Sequence, residues 1–259
     1  MESLAAPLSL NTKFMEINFS QLFHQYTKKF HTPIPRDSSL WPDEWKTTYY
    51  KTYPRLPKIK LSHQERKFDL FEAIKKRSSK REEMAGGPID LDELSLLLKY
   101  SCGITRRTKE GDGRRAQPSG GARFPIETYC LIVKAGEGLM PGLFHYNIKD
   151  HQLDVLWKKE FTKEDLDKIA TYEFVQNASL IVFLTAVFWR NQIKYGQRGY
   201  RFILQESGHI AQNIYLVSEA LNLKCCALGG FRISDEQIEK ILDVDGVTES
   251  LVYTAVIGK

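Results

Sequence analysis

Four short stretches hold the residue types from which a site can be built. Lys76-Arg77-Ser78-Ser79-Lys80-Arg81 gathers cations and hydroxyls at the end of a helical segment. Such a cluster can hold a phosphate by charge and by directed hydrogen bonds. Cations at a helix C-terminus also have an ordinary explanation, because they complement the macrodipole. Pro118-Ser119-Gly120-Gly121-Ala122-Arg123-Phe124-Pro125 precedes a strand, and its paired glycines allow close backbone approach to a flat ligand or a phosphate. Lys194-Tyr195 lies between an apolar strand and a long helix. Burial can turn a lysine and a tyrosine there into a base and a proton donor, although a solvated lysine beside a packing tyrosine is the commoner case. Leu228-Gly229-Gly230-Phe231 ends a short strand, where a backbone amide can meet a cofactor ring or simply make a turn. His209 has no second histidine three or four residues away, and no metal role is read for it. Neither a Gly-x-x-x-x-Gly-Lys-Ser/Thr loop nor a Gly-x-Gly-x-x-Gly turn is present. Ser119 lacks the context of a hydrolase nucleophile.

The elements that must position these stretches can be read from caps and periodicity. Ser62 and Glu65 form a capping-box pattern before Phe68, Phe71 and Ile74, and Asp90 and Glu93 repeat it before Leu94, Leu96, Leu97 and Leu98. Strands are expected at Glu127–Lys134, at Gly142–Ile148 and Gln152–Trp157 as a hairpin, and at Leu180–Val187, Lys224–Leu228 and Ser250–Ile257. Leu180–Val187 is apolar throughout but for Thr185, as in a strand buried on both faces. Helices are expected after Thr162 and Ser234 and across Phe202–Leu223, the last apolar nearly all round. Residues 103–123 show no hydrophobic period and read as a long basic loop. The fold class is α+β, a mixed or antiparallel-rich sheet flanked by helices.

The first 61 residues read as a proline- and aromatic-rich arm ahead of a domain over 62–259. Pro33, Pro35, Pro42, Pro54 and Pro57 are half of the ten prolines, and Trp41, Trp45, Tyr49, Tyr50 and Tyr53 lie among them. The prolines bar long helices and central strands, while the rings suit an arm packed on a surface, that of a second subunit included, better than a free leader. The chain has 259 residues, a net charge of +5 and 42% hydrophobic residues, which suits a soluble globular protein. No stretch has the length of a bilayer span or of a signal peptide, so a cytoplasmic protein with no membrane or nucleic-acid partner is expected. The four cysteines have no zinc-ligand spacing and make no disulfide framework.

In their order along the chain, these stretches resemble the FMN-dependent nitroreductase-fold superfamily. Within it they look like the SagB-type thiazole/oxazole-forming dehydrogenases, or azoline oxidases. The resemblance rests on Pro118–Pro125, Gly142-Leu143-Phe144-His145-Tyr146, the motif from Glu206 to Asn213, and Ala227–Phe231, with Phe23–Lys28 and Lys51–Pro54 in the arm. It implies a homodimeric flavoprotein that builds each FMN site from both chains. Lys76, Arg77, Ser78 and Lys80 would then contact the phosphate, ribityl chain and pyrimidine edge. Ser119 and Gly120 would lie against the flavin, with Gln212, Asn213 and Leu228 also at the cofactor. Gly229 and Gly230 match the turn whose amide approaches flavin N5, and Lys259 falls near a basic phosphate ligand. Lys194-Tyr195 matches the pair associated with azoline oxidation. Lys80 departs from the family pattern, since arginine is common there and lysine lacks its bidentate fork. The function implied is oxidation of peptide thiazolines or oxazolines to thiazoles or oxazoles, with a peptide substrate and a cyclodehydratase complex as partners. An NAD(P)H-dependent nitro or quinone reductase and a non-catalytic flavin-binding scaffold stand as alternatives.

Overall fold

A computed structural model describes residues 18–28, 33–109, 111, 113–229 and 234–259. Its centre is a seven-stranded antiparallel sheet built from β1 (Lys58–Lys60), β4 (Ile126–Ile132), β5 (Gly142–Asn147), β6 (Gln152–Lys158), β7 (Leu180–Val187), β8 (Lys224–Leu228) and β9 (Glu249–Gly258). The strand order is β1-β6-β5-β4-β7-β9-β8. β2 (Ile104–Arg107) and β3 (Gly113–Arg115) form a separate hairpin. The helices are α1 (Phe19–Tyr26), α2 (Asp43–Lys46), α3 (Leu70–Lys76), α4 (Leu91–Cys102), α5 (Lys163–Asp167), α6 (Trp189–Tyr195), α7 (Gly199–Ala220) and α8 (Asp235–Leu242). Among the described residues, no helix is long and apolar enough to cross a membrane.

The period-2 pattern of the strands splits the core between two faces. Ile126, Cys130 and Ile132 of β4 join Val182 and Leu184 of β7 and the α4 and α7 residues Leu94, Leu97, Ile203 and Ile210. Tyr129, Leu131, Ile181 and Phe183 point the other way, toward Leu166, Ile238 and Leu242. β7 lies between β4 and β9 and is buried at every residue, which accounts for its unbroken apolar run in an antiparallel setting. The box at Asp90 forms as expected, the helix expected after Thr162 starts on a capping box of its own, and Ser234 caps α8.

Three local expectations fail, each for a physical reason. No helix starts at Ser62. Its amide donates to Ser95 Oγ and its carbonyl accepts from His151 Nε2, so tertiary bonds claim the groups a cap would use. The helix begins eight residues later, with Asp69 accepting from the Glu72 amide. Residues 103–123 are not structureless, because Ile104 pairs with Arg115 and Arg107 with Gly113; charged exposed faces had hidden the strand period. α7 is not apolar all round: it buries Ile203, Glu206, Ser207, Ile210, Ala211, Ile214 and Ser218 and leaves Leu204 exposed.

The described arm is joined to the sheet by buried charge. Lys51 Nζ lies 2.6 Å from Glu249 Oε2 and donates to Tyr129 Oη, while the Tyr129 hydroxyl and Thr185 Oγ1 both donate to Glu249. Tyr53 packs edge-on against His145. The His145 ring bridges Glu127 at 2.9 Å and Asp154 at 3.2 Å, and Arg190 bonds the other Glu127 oxygen. Burial raises the Glu127 pKa, but bonding from His145 and the charge of Arg190 outweigh it and hold the carboxyl at about 2. An acid with a lowered folded pKa stabilises fully above its unfolded value of 4.5 and loses that contribution as pH falls toward 2. Glu127→Gln should therefore cost about 3–5 kcal/mol at neutral pH in urea unfolding, because it strands Arg190 and His145. It should also flatten the loss of stability below pH 4.5. An unchanged acid limb would show that Glu127 does not carry it.

Candidate active site

The glycine-rich stretch forms a tight loop on the N-terminal half of α7. Gly121, Ala122 and Phe124 all have positive φ, a sparsely populated region for the two residues with side chains. The surroundings hold them there: the Phe124 amide donates to Ser119 Oγ at 2.9 Å, and the Arg115 guanidinium stacks 4.7 Å from the Phe124 ring. Gly121 is required twice, by its φ of 67° and because a Cβ would strike the Tyr195 hydroxyl. Gly120 lies against Phe202 of α7.

Lys194 and Tyr195 meet this loop from the last turn of α6, not from a loop after β7 as the sequence suggested. Lys194 is 3% exposed. Its Nζ sits 3.3 Å from the centroid of Trp41 and 5.9 Å from that of Trp45. Burial and the nearby Arg123 charge lower the Lys194 pKa, and burial raises that of Tyr195. Arg123 is fully buried and spends its donors on main-chain carbonyls: Nε on Arg190 at 2.9 Å, Nη1 on Trp45 at 2.8 Å and Nη2 on Glu44 at 2.7 Å. Trp45 Nε1 donates in turn to Ile193 O. Two buried cations thus face the same compartment, a setting that favours the neutral amine of Lys194.

The basic cluster forms a second focus where α3 ends beside α7 and β8. Ser79 hydrogen-bonds the Tyr215 hydroxyl, which also accepts from the Ala227 amide. The expected cations are not equivalent. Lys76 pairs with Glu72, Lys80 with Glu219 at 2.6 Å and Lys259 with Glu93 at 2.8 Å. Arg77 lies over the Tyr215 ring at 5.5 Å and has no carboxylate partner among the described residues. Ser78 is exposed beside it. Leu228 is buried at the end of β8, and among the described residues nothing lies within 4 Å of the position of a Cβ on Gly229. Gly230 lies outside the described residues. Asn213 Nδ2 donates to Ser101 O at 3.1 Å and so ties α7 to α4, while Gln212 is exposed on the same helix. An uncommitted guanidinium and an open glycine edge fit a phosphate-bearing, flat cofactor such as FMN. A cavity of about 540 Å³ between Thr52–Leu56, Trp157 and Ile241–Asp243 contains none of these residues.

Sequence reasoning missed the residues that support the loop from below. Glu206 is 1% exposed and accepts from Gln117 Nε2 at 3.1 Å. Burial raises its pKa to about 7 against the opposing effects of Ser119, Gln117 and Arg115. Its place in the motif ending at Asn213 was the one available signal. A carboxyl with a raised folded pKa destabilises progressively as pH climbs from its unfolded value of 4.5 to about 7. Glu206→Gln should remove that loss, roughly 3 kcal/mol, so the variant gains on the wild type between pH 5 and pH 8 in thermal unfolding. A parallel pH dependence for the two proteins would mean that Glu206 is ionised in the fold.

Known proteins share this architecture. The Nitroreductase family model matches residues 74–259. The chain is 31% identical over 175 residues to a protein named nitroreductase MJ1384 from Methanocaldococcus jannaschii, covering 68% of this chain and 84% of that one. It is 29% identical over 179 residues to the trifolitoxin-processing protein TfxB of Rhizobium leguminosarum bv. trifolii, covering 66% of this chain and 48% of the relative, so it spans about half of TfxB. A chain in the Escherichia coli microcin synthetase McbBCD complex with truncated pro-MccB17 bound superposes with a TM-score of 0.58 at 18% identity, over 93% of this chain and 91% of that one. The sheet with its two helical faces and the extent of the family match lead to one assignment: the chain belongs to the nitroreductase family.

Proposed function

We propose that the protein is an FMN-dependent dehydrogenase that oxidises peptide-bound thiazolines or oxazolines to thiazoles or oxazoles. The observation that carries this reading is Lys194, a buried lysine beside Arg123 and next to Tyr195 on the glycine loop. Aromatising an azoline removes a hydride from one carbon and a proton from its neighbour, so the site needs a base. A lysine can take that proton near neutral pH only if its pKa is depressed, and burial with a neighbouring cation does this. Bound FMN would supply the hydride acceptor. Arg77 would hold its phosphate, with Ser78 beside it, and the Leu228–Gly229 edge and the Ser119–Gly120 loop would border the ring.

The relatives support a peptide substrate: TfxB is named for trifolitoxin processing, and McbBCD holds a microcin precursor. A cyclodehydratase that makes the azoline is the corresponding partner for this chain. A homodimer is part of the same proposal. Leu70, Phe71 and Ile74 of α3 are 58%, 79% and 52% exposed beside the basic cluster, an apolar surface of the kind a second subunit covers.

Lys194→Ala should keep flavin and fold yet lose about 10²–10⁴ in azoline oxidation, followed by mass spectrometry as loss of two hydrogens. Tyr195→Phe should slow turnover with flavin retained if the hydroxyl takes part. Near-normal turnover by Lys194→Ala would remove the lysine from the mechanism. Arg77→Ala should weaken flavin retention on dilution by on the order of tenfold to a hundredfold, the worth of a charge-assisted bond. Equal retention would place Arg77 outside the phosphate site.

A further inference from the structure

The Lys194 compartment has walls that the proposed chemistry does not explain. Two come from the arm, Trp41 and Trp45, and both are aromatic. Trp41 is fixed by its Nε1 bond to Pro35 O at 2.8 Å, and Trp45 by its Nε1 bond to Ile193 O at 3.1 Å. The two rings meet edge to face at 6.4 Å. Arg123 holds the carbonyls of Glu44 and Trp45, so the short α2 segment between them cannot drift without uncovering a buried guanidinium. A loose packing contact would not need four separate bonds to hold its register.

We propose that Trp41 is a positioning residue for Lys194, seating Nζ on its indole face while Trp45 closes the compartment, so that the arm governs how readily the lysine gives up its proton. The inference rests on the reading of Lys194 as the base. The groups around Nζ act in opposite directions. Arg123, from the glycine loop, repels the ammonium, and burial penalises it. Tyr195, on the same helix, places its ring 5.5 Å away. The Trp41 face, at 3.3 Å, attracts the ammonium through the ring quadrupole. The indole therefore offsets part of the loss of water and of the repulsion by Arg123. It keeps Lys194 protonated to a higher pH than an aliphatic wall would.

The variants that isolate this effect change the π-face and leave the wall. Trp41→Leu stays apolar and excludes water, so the lysine pKa should fall by on the order of one pH unit. Trp41→Phe keeps a weaker quadrupole and should give a smaller shift in the same direction. The direct readout is the carbon-13 shift of Lys194 Cε against pH in the flavin-loaded full chain, assigned from the signal lost in Lys194→Arg. The second readout is the acid limb of the azoline-oxidation profile, which should move down with the lysine. Flavin content and unfolding midpoint report whether each variant folds, and Trp41→Phe carries the test if Trp41→Leu does not. A Lys194 titration that is the same in wild type and in the folded variants would overturn the inference. A Lys194 titration that shifts as expected in the variants, with a wild type that oxidises no azoline, would instead sink the functional reading and leave the Trp41–Lys194 coupling standing.

Discussion

Arg123 is the constraint around which the candidate site is arranged. A buried guanidinium without a carboxylate must direct its N–H groups at carbonyl oxygens or forfeit several kcal/mol of solvation. Here those oxygens belong to Glu44, Trp45 and Arg190. One side chain thereby fixes α2 of the arm, α6 and the glycine loop in mutual register. Lysine in its place would offer a point charge, not the planar fork that reaches three carbonyls at once. Burial lowers the Lys194 pKa, and the same charge adds to that effect, so the cation that anchors the arm also acts on the lysine.

The described part of the arm consequently belongs to the folded body. Lys51 and Tyr53 enter the charged cluster over β4, β5 and β9, and Lys58 pairs with Asp154 where β1 meets β6. Arg198 and Arg201 of the α7 approach donate to carbonyls at the C-terminal end of α1, where the helix dipole favours cations. The prolines of the arm confine it to short pieces that can follow this surface. The pieces bring the rings of Trp41 and Tyr53 onto Lys194 and His145. Trp41 over Lys194 is the case with chemical consequence.

Much of this was legible in the sequence. β7 and β8 have the limits that the sequence indicated, and the caps at Asp90 and Thr162 start helices with their reciprocal backbone bonds in place. Ser62 shows the opposite case, a local signal overruled by bonds to residues 33 and 89 positions away. The cluster at Lys76–Lys80 could be found by charge, but which cation is uncommitted could not, since that depends on Glu72, Glu219 and Glu93 arriving from three elements. The aromatics of the arm were visible as packing residues, and the sequence left open which surface they cover. Trp41, Trp45 and Tyr53 pack on their own chain, where Lys194 and His145 need them.

On the proposed reading, this nitroreductase-family chain takes electrons from an azoline and is not chiefly charged by a nicotinamide. Anaerobic mixing of the purified protein with a stoichiometric azoline peptide, followed at the flavin absorption band, tests it most directly. The oxidised flavin band should bleach, matched mole for mole by a peptide two hydrogens lighter, with re-oxidation on admitting air. A band that NAD(P)H bleaches promptly and the azoline peptide leaves untouched would contradict it, and would return the chain to the reductases of its family.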